Sequence, residues 1–270
     1  MQLKNKTIVV TGGGNGIGRE LVLGLLARGA LVAAVDINEK TLLETSQLAG
    51  DHSDRLSVHV VNIADKEAIG KLPEEVISRH GQVDGIINNA GIIQPFIRLK
   101  DLDYSVIERV MNVNFYGTIY MIKAFLPHLL NRPEGYIANI SSMGGFLPVP
   151  GQTLYGASKA AVKLMTEGLW AELLETHVKV SVIFPGAIET NITANSGVTI
   201  NRPSDTDAKK SGMKTLPASR AASIMLDGIE RNKPRIFVGS DSRMINKLYS
   251  LSPLYATRMV TRQMKGLLSK

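Results

Sequence analysis

The chain has 270 residues, 44% of them hydrophobic and 20% charged, with a formal net charge of +7 and no cysteine. Length and composition exclude a disordered chain, a coiled coil and a small module dependent on covalent staples, and predict one enzyme-sized domain with a substantial core. The cysteine count excludes disulfides, thiolate-bound metals and a cysteine nucleophile, and makes the cytoplasm the expected location.

Apolar runs of strand length alternate with helical segments along the chain. The predicted strands are Thr7 to Thr11, Leu31 to Asp36, Leu56 to Val61, Gly85 to Asn88, Gly135 to Ile140, Val178 to Phe184 and Arg235 to Val238. Helices are predicted over Gly18 to Arg28, Thr41 to Ala49, Lys66 to His80, Asp103 to Leu130 and Leu154 to Thr176. The strand runs are rich in Val and Ile with little polar alternation, as when helices cover both faces of a parallel strand. The expected fold is α/β, a Rossmann-like doubly wound parallel sheet of about seven strands with helices on both faces.

The polar stretch from Asn191 to Leu216 interrupts this rhythm and reads as a lid over a ligand crevice, or as a surface insertion without a role. A catalytic domain over residues 1–240 and a basic amphipathic extension over 241–270 are expected. The extension carries Arg243, Lys247, Arg258, Arg262, Lys265 and Lys270 against Asp241 alone. Met244, Leu248, Leu251 and Leu254, then Met259, Val260, Met264, Leu267 and Leu268, suggest two short helices broken at Pro253. They would pack over the substrate pocket or a neighbouring subunit, or contact an anionic membrane surface peripherally. Without an aromatic stacking face or a recognition motif, this charge does not predict nucleic acid. Arg28 and Lys123 interrupt the longest apolar stretches, so no transmembrane segment is expected, and no export signal is visible.

The first strand runs into Gly12, Gly13, Gly14, Asn15, Gly16, Ile17 and Gly18 ahead of an apolar helix. Glycines there allow a tight turn and close approach of a pyrophosphate to the helix N-terminus. Asp36 closes the second strand, where a carboxylate accepts from both ribose hydroxyls and repels a 2′-phosphate, favouring NAD over NADP. The blander role for Asp36 is a helix N-cap.

Further along stand Ser142, Tyr155 thirteen residues on, and Lys159 four beyond that. Residues at i and i+4 share a helix face, so the ammonium can sit beside the phenol and lower its pKa toward working pH. Alone, such a pair fits any amphipathic helix. With Ser142 positioned to hydrogen-bond a substrate oxygen, it describes a proton donor and its orienting partner.

The glycine turn together with Asn88-Asn89-Ala90-Gly91 resembles the classical short-chain dehydrogenase/reductase family over about Leu3 to Gly239. The resemblance implies a catalytic set of Asn114, Ser142, Tyr155 and Lys159, with Asn114 in a distorted helix that holds a water of the proton relay. Ser142 is preferred over Ser141, which is expected to point away. Lys159 would also bind the nicotinamide ribose. The implied cofactor-binding set is Gly12, Asn15, Gly16, Ile17, Gly18, Asp36, Ile37, Asn62, Ile63, Asn89, Ala90, Gly91, Tyr155, Lys159, Pro185, Gly186, Ile188 and Thr190. Asn62 stands where the family usually has Asp. No Arg or Lys lies within the glycine turn or just after Asp36, which agrees with NAD.

The family arrangement places Gln94, Pro95, Phe96, Met143, Phe146, Leu147 and Gln152 near the substrate. This apolar set suits a lipophilic secondary alcohol or ketone, with Arg98, Lys209, Lys210 and Lys214 able to swing in. An acyl-chain or acyl-thioester carbonyl reductase is the alternative activity, and a nucleotide-binding regulator or scaffold the non-enzymatic one. A homo-dimer or homo-tetramer is implied by the resemblance. His52, His59, His80, His128 and His177 lack ligand spacing, so no metal is expected.

Overall fold

A computed structural model describes residues 1–190, 192–198 and 215–263. Seven strands form one parallel sheet: β1 (Thr7–Thr11), β2 (Leu31–Asp36), β3 (Leu56–Val60), β4 (Gly85–Asn88), β5 (Gly135–Ile140), β6 (Val178–Pro185) and β9 (Arg235–Val238). Each begins at the predicted residue. Their order is β3-β2-β1-β4-β5-β6-β9, so the direction of winding reverses between β1 and β4. In sheets of this kind that switch point opens a crevice at the carboxyl ends of the strands.

Successive strand residues feed opposite faces of the sheet, and each face has its own core. Ile8, Val10, Val32 and Ala34 pack with helix α1 (Gly16–Ala27) on one side. Val9, Ala33 and Val35 pack on the other with α3 (Lys66–His80), which follows α2 (Glu39–Leu48). Local signals set the helix ends. Asn38 caps α2 by accepting from the Thr41 N–H, and Asp65 caps α3 by accepting from Glu67 and Ala68. Gly81, at φ +79°, ends α3 in the left-handed conformation.

The segment predicted as one helix from Asp103 to Leu130 has three parts. Helix α4 (Tyr104–Met111) passes into a π-helical turn over Asn112–Tyr116 and then into α5 (Gly117–Leu130). A Cβ at Gly117 would lie 2.9 Å from the Ile63 carbonyl oxygen, so this helix and the segment after β3 meet backbone to backbone. The next helix, α6 (Thr153–Glu172), lies against β6.

A two-stranded parallel ribbon, β7 (Ile188–Glu189) with β8 (Leu216–Pro217), closes the base of the segment predicted as a lid. Within it Ile192–Asn195 form the short helix α7. Residue 191 and residues 199–214, including Lys209, Lys210 and Lys214, lie outside the described residues. Helix α8 (Ala218–Glu230) was not among the predicted helices. It packs Ala221, Ala222, Met225 and Leu226 into the α1 face, where Gly24 leaves only 2.9 Å between a built Cβ and Leu226. The chain then forms α9 (Ser240–Leu251) and α10 (Pro253–Gln263), with the predicted break at Pro253; Met264, Lys265, Leu267, Leu268 and Lys270 lie outside the described residues. Among the described residues no helix is long and apolar enough to cross a membrane.

The amino ends of the central strands are clamped by the fully buried Asp84. Its carboxylate accepts from the Thr7 N–H, Gln82 Nε2 and Arg132 Nε, each at 2.9 Å. Replacing it by Ala leaves the Thr7 N–H buried without a partner and removes the ion pair of Arg132, which keeps only Gln82. The expected loss is about 2–3 kcal/mol, read as a lower urea midpoint at unchanged slope.

Candidate active site

The crevice between β1 and β4 is a cleft of about 910 Å³. Its floor is held by Thr11, whose hydroxyl accepts from the N–H groups of Asn89 (3.0 Å) and Ala90 (3.1 Å), while Asn89 Nδ2 donates to the Thr11 carbonyl. Thr11 was legible only as part of the glycine motif, and its bracing role needed the β1–β4 pairing. The glycines are required one by one. Gly12 sits at φ +68°, and a Cβ there would come within 3.0 Å of the Ala90 Cα. A Cβ on Gly18 would lie 1.8 Å from the Gly12 carbonyl oxygen. Gly18 therefore lets α1 close on the turn and does not itself line the cleft. Asn15 caps α1 by accepting from the Gly16 N–H at 2.7 Å, and the helix N-terminus opens beside Gly12 and Gly16.

Asp36 is not the N-cap of α2, a role that falls to Asn38. Its carboxylate accepts from the N–H groups of Gly14 (3.0 Å) and Asn38 (3.1 Å) and lines the cleft. Arg19, one residue past the glycine turn, is directed away into an ion pair with Glu44 at 2.8 Å and a hydrogen bond to Thr45. Ile37, Asn62, Ile63, Asn89, Ala90 and Gly91 line the same end, and Pro185, Gly186, Ile188 and Thr190 the other. Asn62 Oδ1 accepts from the Ala64 N–H at 3.0 Å, shaping its own turn. A narrow glycine-lined cradle, a helix N-terminus and a carboxylate at the end of β2 suit a dinucleotide: pyrophosphate on the turn, ribose at Asp36.

Ser142, Tyr155 and Lys159 meet at the far end of the cleft. Ser141 turns the other way, donating to the Lys159 carbonyl at 2.7 Å, while Ser142 Oγ accepts from the Gly144 N–H and hydrogen-bonds Tyr155. Asn114 lies in the π-helical turn, fully buried behind Gly91. Its Oδ1 accepts from the Ile92 N–H (2.8 Å), and its Nδ2 donates to the Ile92 carbonyl and to Ser158 Oγ, each at 2.9 Å. Ser158 in turn donates to the Tyr155 carbonyl at 2.7 Å. A Cβ on Gly91 would sit 3.1 Å from Lys159 Nζ and 3.2 Å from Asn114 Oδ1, so glycine there is what lets these side chains share one space.

One expectation is corrected. Burial lifts the Tyr155 phenol above its ordinary value, opposed by the Ser142 hydrogen bond, rather than the Lys159 charge lowering it. The ammonium donates to the Ile140 carbonyl at 2.9 Å, and its own burial brings Lys159 down to about 8.

The structure does not bring the expected substrate residues to this cleft. Gln94 is fully buried, its Oε1 accepting from the N–H groups of Leu154 (2.7 Å) and Tyr155 (3.0 Å), its Nε2 donating to the Gly151 carbonyl. It caps the first turn of α6 from across the chain, and Gln152 braces it through its backbone carbonyl at 2.8 Å. Phe146 packs edge-on against Phe184, and with Met143 and Leu147 contacts α9 and α10. Phe96 is half-buried and does not line the cleft.

Replacing Gln94 by Leu should lower turnover about tenfold at unchanged cofactor affinity, because the backbone carrying Tyr155 loses its acceptor. Gln94→Glu keeps that oxygen and should recover most of the loss, as steady-state kinetics with a cofactor titration would show. For Lys159, the unfolded chain holds a proton between about pH 8 and 10.5 that the folded chain has released, so stability rises with pH across that window. Relative to Lys159→Met, the wild type should gain on the order of 3 kcal/mol over it; parallel stability curves for the two proteins would contradict this.

Residues 6–200 match the short chain dehydrogenase family. The 3-oxoacyl-acyl-carrier-protein reductase FabG of Thermotoga maritima is 34% identical over 195 residues, 72% of this chain and 78% of that protein. Two solved structures share the fold. A short chain dehydrogenase/reductase from Burkholderia phymatum in complex with NAD superposes with a TM-score of 0.82 at 22% identity, covering 93% of this chain and 96% of that one. A short chain dehydrogenase from Burkholderia cenocepacia in complex with NADP gives 0.79 at 26% identity, covering 96% and 99%. The glycine turn on β1, the Asn-Asn-Ala-Gly end of β4 and the Ser142, Tyr155, Lys159 cluster all meet at one sheet crevice, and the chain is a dehydrogenase/reductase of the classical short-chain family.

Proposed function

We propose that the protein transfers hydride between NAD(H) and a lipophilic secondary alcohol/ketone pair, with Tyr155 as the general acid/base. The observation that carries this reading is the convergence of Ser142, Tyr155 and Lys159 at one end of the cleft whose other end holds Asp36 and the glycine turn. Bound nicotinamide supplies or accepts the hydride. The chain's part is to hold the substrate oxygen and manage its proton. Ser142 and Tyr155 hydrogen-bond each other, so an oxygen placed between them meets two donors, and the phenolic proton moves onto it in reduction. A phenol raised by burial stays protonated at neutral pH, which suits it to donate. Lys159, charged below about pH 8 and held by the Ile140 carbonyl, lines the same cleft and would donate to the nicotinamide ribose. Asn114 links this helix to the segment after β4 through Ser158, and so holds Tyr155 at its depth in the cleft.

Preference for NAD rests on Asp36, which presents negative charge where a 2′-phosphate would sit, and on Arg19, whose guanidinium is engaged by Glu44. The apolar residues Ile92, Ala187, Ile188 and Ile192 at the catalytic end support a lipophilic substrate. The exposed Leu164 and Trp170 of α6 support a homo-oligomer formed through that helix. Reduction of an acyl thioester is the second reading, favoured by the likeness to the FabG reductase.

The test is loss of absorbance at the reduced-nicotinamide band with lipophilic ketones and with acyl thioesters. NADH should be consumed by the wild type and, with Tyr155→Phe, at least about 10²-fold more slowly. Asp36→Ala should weaken NADH binding more than NADPH binding; equal losses would overturn the cofactor assignment. Turnover with thioesters alone would select the second reading.

A further inference from the structure

The hairpin of α9 and α10 has two unlike sides. On the inner side Ala256 and Val260 are buried with Leu147, and Ile245, Leu248, Tyr249 and Met259 pack around them. The predicted apolar stripe is therefore divided, because Met244, Leu251 and Leu254 face outward. At the turn between the helices Leu251, Leu254 and Tyr255 are 86%, 72% and 60% exposed, and Met244 is 63% exposed. Arg243, Lys247, Arg258 and Arg262 are exposed on the same two helices. Asp241 is the lone acid from Ser240 to Gln263, and its carboxylate turns inward to accept the Ala187 N–H at 2.8 Å. The segment beneath, residues 143–163, contains no acidic residue.

We propose that this hairpin is a docking surface for an anionic lipid bilayer. Bulky apolar side chains at a protruding turn, flanked by cations with no exposed carboxylate beside them on either helix, match the boundary between acyl chains and anionic headgroups. A second copy of the chain fits worse, since a two-fold contact through this face would set the four cations against their own images. An acidic peptide helix needs a groove to lie in, whereas the apolar side chains here stand out from a turn. Docked this way, the inner side of the hairpin stays packed on Phe146 and Leu147, in the segment that follows Ser142.

The full chain would be sedimented with vesicles of phosphatidylcholine alone and with vesicles containing about 30% phosphatidylserine. Binding to the anionic vesicles should be at least about tenfold stronger, and should fall steeply near 1 M salt, where screening acts within about 3 Å. Leu254→Asp with Tyr255→Asp, and separately Arg258→Glu with Arg262→Glu, should abolish it while leaving the thermal midpoint unchanged, because every altered side chain is exposed. Absence of sedimentation, equal sedimentation with both vesicle types, or binding that survives charge reversal would overturn the proposal. So would a concentration-dependent change in molecular mass that the same substitutions remove, which would make the hairpin a contact between copies.

Discussion

The Thr11 hydroxyl spans the gap at the centre of the sheet. Where β1 and β4 end side by side, the chain departs toward α1 from one and toward Asn114 from the other, and a single side-chain oxygen accepts from both Asn89 and Ala90. Below it the two strands pair through their backbones, and beside it Asn89 Nδ2 donates to the Thr11 carbonyl, so the strand ends stay joined where the winding sense reverses. This contact joins the glycine turn on one bank to the Asn89–Gly91 segment on the other.

From that fixed point the site is built by backbone proximity more than by side-chain bulk. Gly12 and Gly18 let a strand end, a helix start and the Asn89 loop share a volume that one added Cβ would fill. Gly91 does the same for Lys159 and Asn114. On the catalytic bank the restraint comes from buried hydrogen bonds. Gln94, Gln152, Asn114 and Ser158 hold the first turns of α6 from two directions, so Tyr155 is placed by amide and hydroxyl geometry rather than by packing alone.

Electrostatics at the catalytic end follow from that same burial. Desolvation pushes the phenol up and the ammonium down, because burial disfavours the charged form of each group, and so drives their pKa values apart. The opposite end is different in kind, since the Asp36 carboxylate accepts from the N–H groups of Gly14 and Asn38 and still lines the cleft.

The strands were legible in the sequence because helices cover both sheet faces, leaving Val- and Ile-rich runs with few competing readings. The glycine turn, Asn88 to Gly91, and the spacing of Ser142, Tyr155 and Lys159 were legible for a similar reason: each is a local pattern imposed by a backbone or helix-face requirement. The π-helical turn at Asn112–Tyr116 was implied only by family resemblance, and nothing in its local composition marks a break in a helical run. Helix α8 was overlooked because it follows a polar stretch, and its burial depends on Gly24 of α1, nearly two hundred residues earlier. Gln94 was read as a substrate contact, and its partners lie some sixty residues away at Leu154 and Tyr155. The sequence was enough for the fold and for naming the candidate residues of the cradle and of the chemistry, since periodicity and motif spacing are local properties. Where each side chain is engaged became visible in the folded chain alone: Gln94 on a helix end, Arg19 on Glu44, and the tail residues divided between core and solvent. Those outcomes depend on which partners arrive from distant segments, and no local pattern encodes them.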